Sequence, residues 1–232
     1  MTWIQTFTGQ AVDLLHPRPE TIQLADIEHA LARICRYTGH TVEHYSVAQH
    51  CVLVANHLQP ELALQGLMHD AVEAYVQDVS APLKWAMREL AHESPYDRIE
   101  HRVDLAIAKR FKLERPLPKE VRDADLRMLA TEARALGFLE KAPQPWSLPL
   151  PPYDMEIECW SASRAKEEFH NRFMTASCEE VCTSRGVQAI SVACPTCAAS
   201  PGKLCENMKN DISIGFHDER KRAAYKAGGV TL

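Results

Sequence analysis

His69 and Asp70 stand side by side in GLMHDAVEAYVQDVSAPLK, and Glu73 follows four residues after the histidine. Adjacent helical residues are about 100° of rotation apart, and residues four apart share a face. An imidazole and two carboxylates turned to one side of an otherwise apolar segment need something positive among them. The chemistry this suggests is a divalent cation held by nitrogen and oxygen with positions left for water, the working part of a metal-dependent hydrolase. His50, in YSVAQHCVLVA, and Asp125, in VRDADLRMLATEARAL, each lie on an apolar stripe and could supply a third and a fourth ligand. A metal ion there would be a divalent transition metal in preference to magnesium, because imidazole favours the former.

A second constellation closes the chain, in CPTCAASPGKLCENMKNDISIGFHDERKRAAY. Cys194 and Cys197 form a C-x2-C knuckle, Cys205 follows a Pro-Gly turn, and His217 comes after a longer excursion. Three thiolates and an imidazole suit a tetrahedral structural zinc. The gaps are not those of a C2H2 finger, which places two histidines on one helix. So short a segment buries too little apolar area to hold together without metal; free thiols in an open tail are the alternative. Cys178 and Cys182 sit four apart with no second pair, and Cys35, Cys51 and Cys159 read as small apolar packing residues. Arg220, Lys221, Arg222 and Lys226 make the end locally basic. That is either a solvated face or a contact for nucleic acid or another subunit.

The elements that must position these side chains are helical. Asp26 reads as the N-cap of a helix over residues 27–36, and Ser46 as the cap of one running to about residue 58. A third helix over 61–76 would carry the His-Asp pair, and Pro82 suits the first turn of a helix over 82–92. Helices over 95–111 and 118–138 follow, and residues 1–20 read as irregular. The five prolines of 141–152 make a semi-rigid strap, after which Ser161 caps a helix to about residue 181 whose Phe169 and Phe173 pack back on the body. Three parts result: a catalytic helical body over 1–140, a Pro-rich linker and packing helix over 141–187, and a zinc-binding module over 188–232.

Composition bounds the rest. The chain has 232 residues, 46% hydrophobic and 25% charged, with a net charge of −5. This is globular, and it carries no global signal for nucleic acid. No apolar run approaches the roughly 20 residues of a membrane span, and MTWIQTFTGQ lacks the plan of a signal peptide. A cytoplasmic location with no membrane partner is the expectation, so the eight cysteines read as thiols or metal ligands. No glycine-rich phosphate loop is present, so phosphate would have to be bound by metal and side chains.

The set His50, His69-Asp70 and Asp125 resembles the HD-domain phosphohydrolases, whose pattern is H…HD…D. SVAQH…GLMHDAVEAYVQD…VRDADLRML is similar to the branch of bacterial 5′-deoxynucleotidases and phage dATP triphosphohydrolases, over about residues 25–140. The resemblance implies an all-α HD-type bundle in which His50, His69, Asp70 and Asp125 ligate Co2+, Mn2+, Mg2+, Zn2+ or Fe2+. It implies that Glu73 and Asp78 position or activate water, that Arg36 binds phosphate, and that Tyr37 lies against the sugar. Tyr37 stands where relatives carry tryptophan. Lys84 is a second candidate phosphate contact. Read plainly, Arg36 is an ion-pair former for Asp26 or Glu43, Tyr37 packs in the core, and Lys84 is a solvated lysine. His40 and His44 could line the pocket. The implied activity is hydrolysis of a deoxynucleotide, as monophosphate or triphosphate, by a homo-oligomer. Hydrolysis of cyclic nucleotides or nucleic-acid ends is an alternative, as is non-catalytic nucleic-acid binding through the tail. The tail itself is similar to small zinc-ribbon-like modules of phage proteins, of the form CPxC…PGxxC…GFHxxR.

Overall fold

The computed structural model describes residues 1–91 and 94–183. Cys194, Cys197, Cys205, His217 and the basic end therefore lie outside the described residues, as do the side chains of Cys178 and Cys182. The described residues are mostly helical: α1 (Leu24–Leu31), α2 (Val47–Asn56), α3 (Pro60–Leu67), α4 (Glu73–Val76), α5 (Ala81–Leu90), α6 (Pro95–Phe111), α7 (Lys119–Ala135) and α8 (Ala162–Thr183). Short 3-10 turns cover Pro19–Thr21, Arg36–Gly39 and Leu139–Lys141.

Local chemistry explains most of the boundaries. The Ser46 hydroxyl accepts from Gln49 N–H at 3.2 Å and starts α2, and Ser94 does the same for Asp97 N–H at 3.4 Å at the head of α6. Pro60, Pro82 and Pro95 occupy first turns, where a missing N–H costs nothing. Ser161 accepts from Arg164 N–H at 3.2 Å to open α8.

Three stretches differ from the sequence expectation, each for a physical reason. Residues 1–20 are not wholly irregular. β1 (Trp3–Gln5) pairs antiparallel with β2 (Ala11–Asp13), and strands of three residues are too short to display an alternating pattern. The first helix begins at Leu24 and ends at Leu31, with Gln23 as its N-cap. Asp26 is buried instead and accepts from the N–H and hydroxyl of Thr8 at 2.7 and 2.9 Å, a partner 18 residues away. The helix stops early because Cys35 enters a backbone bridge with Ser46. The third helix is broken. Past α3 the backbone closes from residue i to i+3 (Ala71 to Met68, Glu73 to Asp70, Ala74 to Ala71), so His69 and Asp70 sit on tight turns and not on a continuous helix.

α2 is the central helix, buried on nearly every residue. α3 and α8 pack against it and each other, and α7 covers α2 and α3. Gly66 permits the close approach of α3, since a Cβ there would meet Leu58 and come within 3.4 Å of the Ala55 backbone. Ala165, Phe169, Phe173 and Ala176 present one buried stripe of α8 to the main core, beside Val47, Cys51, Leu67 and Ile107. The Pro-rich strap crosses α7: Arg127 donates to the Pro151 carbonyl at 3.2 Å, and Arg134 to the Tyr153 carbonyl at 2.7 Å. Gln49 of α2 then clamps the strand of chain leading to α8, donating to the Glu158 carbonyl at 2.7 Å and accepting from Trp160 N–H at 2.9 Å. No described helix is long and apolar enough to cross a membrane.

Phe169 has no exposed surface. Phe169→Ala should lower the unfolding free energy of the full chain by about 3–5 kcal/mol, measured by urea denaturation. A loss under roughly 1 kcal/mol would mean that α8 is not part of the core that folds with α2 and α3.

Candidate metal centre

Two imidazoles form the floor of the site. His50 lies in α2 with no exposure, and its Nδ1 is 2.6 Å from Glu132 Oε1. The carboxylate can only accept, so Nδ1 carries a proton, and in the neutral ring Nε2 presents the lone pair. His69 is fixed in the same way by a different partner: its Nδ1 donates to the Gly66 carbonyl at 2.7 Å. The broken helix is what allows this bond, because the turn after Leu67 folds the ring back on its own chain. Both Nε2 atoms then face one point, 3.3 Å apart.

Two carboxylates form the rim. Asp125 Oδ1, from α7, lies 3.1 Å from His50 Nε2 and 3.7 Å from His69 Nε2. Asp70 Oδ2 lies 3.1 Å from His69 Nε2 and 3.6 Å from His50 Nε2. Atoms bonded at about 2.1 Å to a common ion sit roughly 3.0–3.4 Å from one another. Three of the five separations (3.1, 3.1 and 3.3 Å) fall in that range, while Asp70 to His50 and Asp125 to His69 are wider at 3.6 and 3.7 Å. Two lone pairs facing each other at 3.3 Å repel unless a cation or a proton lies between them. The Asp125 and Asp70 side chains are 38% and 22% exposed, against 0% for His50. The opening is therefore on the carboxylate side, where a ligand from solvent can enter. The donor set of two nitrogens and two oxygens fits a borderline divalent transition metal.

Charge divides the acids into two groups. Burial alone would raise the Asp125 pKa, but its hydrogen bonds to His50 and His69 hold it well below the usual carboxylate range. Asp70 is lowered too, with the His69 charge overriding burial. Burial likewise works against Glu132, and the Arg36 and His50 charges bring it down to about 2. Glu73 goes the other way: burial, reinforced by Asp70 and Asp78, pushes its carboxyl well above the normal range. Asp78 is raised mainly by burial, against the opposing Arg36 charge. For the imidazoles burial acts downward, and the surrounding carboxylates reverse it, so that His50 and His69 both lie above the ordinary value. A metal would compete with those protons for Nε2.

The remaining expected residues are arranged unequally. Glu73 is buried, and its Oε2 has no hydrogen-bond partner. Arg36 is 11% exposed and spans Glu132 (Nη2 to Oε2, 3.1 Å) and Asp70 (Nη1 to Oδ2, 3.6 Å); neither Asp26 nor Glu43 is its partner. Tyr37 does not simply pack: its hydroxyl donates to Glu132 Oε2 at 2.7 Å while its ring lies 4.6 Å from Phe138. Asp78 lines a cavity of about 460 Å3 with Arg33, Cys35 and Gln77. Lys84 is ion-paired with Glu100 at 2.7 Å and lies 5.4 Å from the Tyr96 ring, so its charge is answered away from the four-residue cluster.

Sequence reasoning missed Glu132. It is fully buried, and its two oxygens receive Tyr45 and His50 on one side and Arg36 and Tyr37 on the other. The signal was present: Glu132 follows Asp125 by seven residues, which places it two turns along the same face of α7. Cys51 was also underread. It packs in the core as a small apolar residue would, and its Sγ also lies within 4.8 Å of ligand atoms of His69 and Asp70. Burial pushes its thiol up to about 11, so it stays neutral.

Comparison with known proteins adds two findings. Residues 141–231 match the model of a family described as "Putative DNA-binding phage zinc finger domain". The match begins at the Pro-rich strap, ahead of the cysteine-rich stretch, and it supports a zinc-binding C-terminal region. The chain is also 41% identical over 138 residues to the uncharacterized protein YfdR of Escherichia coli (strain K12), covering 60% of this chain and 74% of YfdR. The chain belongs to the YfdR family. Because 138 residues exceed what lies beyond residue 140, the likeness to YfdR reaches into the helical body. An uncharacterized protein of Rhodobacter capsulatus is 33% identical over 131 residues, which cover 53% of this chain and 64% of that protein.

Glu132→Gln keeps the shape but removes the charge that orients His50. It should weaken Mn2+ or Co2+ binding by about 10–100-fold in calorimetric titration. An unchanged affinity would remove Glu132 from the support of the site.

Proposed function

We propose that this protein is a metal-dependent phosphohydrolase of the HD type that acts on nucleotide phosphates, with His50, His69, Asp70 and Asp125 as the ligands. One observation carries the proposal: two histidines oriented by Glu132 and Gly66 bring their Nε2 atoms within 3.3 Å of each other, with an Asp125 oxygen 3.1 Å from one and an Asp70 oxygen 3.1 Å from the other. A divalent ion held there supplies Lewis acidity toward water and toward a phosphoryl oxygen.

The chain's own residues do the rest. Glu73, buried with one oxygen unpartnered, is suited to hold and pass a proton at neutral pH because its environment raises its pKa. Asp78 supports it from the wall of the adjoining cavity. Arg36 brings a permanent positive charge beside Asp70, where charge on a phosphoryl group would need an answer. The acids around the site outnumber Arg36, and a bound cation would add the positive charge that a phosphate needs. A nucleotide, with preference for the deoxy form and either mono- or triphosphate, is the substrate class to test first, on the resemblance of the motifs.

The decisive experiment is a screen of deoxy- and ribonucleoside mono- and triphosphates with Mn2+, Co2+, Mg2+, Zn2+ and Fe2+, reading release of phosphate and tripolyphosphate. Asp70→Ala should lose metal and turnover together. Glu73→Gln should keep the metal and lose about 10^2–10^4-fold in kcat. Metal binding without hydrolysis of any of these substrates would overturn the hydrolase reading.

The family match over 141–231 favours a second role, a DNA contact through a zinc-held C-terminal region. Cys194, Cys197, Cys205 and His217 would hold that zinc. Cys194→Ser should lower zinc content by one ion per chain and leave hydrolysis at wild-type rate; an unchanged count in metal analysis refutes the ligand set.

A further inference from the structure

Cys35 and His44 face each other across the turn that carries Arg36. The Cys35 sulfur lies 3.4 Å from His44 Nδ1, and His44 Nε2 lies 3.2 Å from the Ala32 carbonyl oxygen. A carbonyl only accepts, so the ring proton resides on Nε2 and Nδ1 keeps its lone pair for the thiol. The two residues are held in register by the backbone: Cys35 bridges Ser46, Arg36 N–H donates to Tyr45 O at 2.9 Å, and Val47 N–H to Ile34 O at 3.1 Å. Neither a small apolar packing role nor a place in the metal cluster accounts for this arrangement. Cys35 is partly exposed, and it lines the cavity of about 460 Å3 with Arg33 and Asp78. The other described cysteines differ. Cys51 is fully buried, and Cys159 is partly exposed, with burial and the Glu43 charge raising its pKa.

We propose that Cys35 is a nucleophilic thiol served by His44 as its base, and that it exchanges with low-molecular-weight disulfides of the glutathione class to form a mixed disulfide in that cavity. The Cys35 S–H proton passes to His44 Nδ1, and the thiolate electron pair forms a bond to one sulfur of the disulfide. The original S–S bond breaks, and its electron pair leaves on the second sulfur. That departing thiolate takes the proton back from the imidazolium. Cys35 is oxidised and the disulfide is reduced, with no further reactant. Arg33 on the cavity wall offers a cation to a carboxylate-bearing disulfide. The adduct would lie against Asp78, next to the segment carrying Arg36. None of this depends on the hydrolytic activity.

The test uses the reduced full-length chain incubated with oxidised glutathione, quenched over time and mapped by peptide mass spectrometry. Cys35 should acquire the adduct at least about tenfold faster than Cys159. His44→Gln should slow Cys35 by about tenfold while Cys159 keeps its rate. Equal rates at Cys35 and Cys159 in the unaltered chain would overturn the proposal, as would undiminished Cys35 reactivity in His44→Gln. The comparison of the two cysteines needs no variant, so it decides the matter even if His44→Gln fails to fold.

Discussion

A carboxylate with no exposed surface must have its charge answered on every side, and Glu132 is such a group. One oxygen accepts from Tyr45 and His50, the other from Arg36 and Tyr37. Those partners come from α2 and from the segment between α1 and α2, while Glu132 belongs to α7. A single buried charge therefore ties three parts of the body together, and the loss of any one partner would leave it undercompensated. The same bonds set the chemistry of the candidate site. The bond to His50 Nδ1 leaves Nε2 free, and the bond to Arg36 brings a guanidinium within 3.6 Å of Asp70.

Backbone strain borders this site on two sides. Tyr37 and Thr38 both adopt φ of 55° in the turn after Arg36, and Gln77 adopts φ of 71° at the end of α4, directly before Asp78. Side chains with a Cβ disfavour these conformations by roughly 1–2 kcal/mol each. At Tyr37 the hydroxyl bond to Glu132 and the contact with Phe138 offset that cost. The turn it stabilises also sets Cys35 opposite His44, so one strained loop serves both the charged cluster and the thiol pair.

Much of the scaffold is legible because its causes are local. Ser46, Ser94 and Ser161 open helices where serine and proline chemistry places helix starts, and α5, α6 and α7 lie close to their expected ranges. His50 on α2 and Asp125 on α7 meet the turn that carries His69 and Asp70 because α7 packs over α2 and α3. The partners of several polar side chains were not legible. Asp26 left its expected cap for Thr8, Arg36 chose Glu132 and Asp70 over nearer acids, and Lys84 was taken by Glu100. In each case several partners of suitable charge existed, and sequence distance does not choose among them.

The residue types and their spacing were enough to anticipate a helical body and a cysteine-rich tail of zinc-binding composition, and to single out four His and Asp side chains that the fold brings near one another, because periodicity and ligand chemistry act over short stretches of chain. Only the folded body decided that the His-Asp pair sits on a broken helix, which nitrogen of each histidine is free, that Glu132 lies beneath them, and that Cys35 meets His44. These follow from hydrogen bonds between segments up to 96 residues apart, and such bonds are selected by the packing of whole helices, which no local pattern encodes.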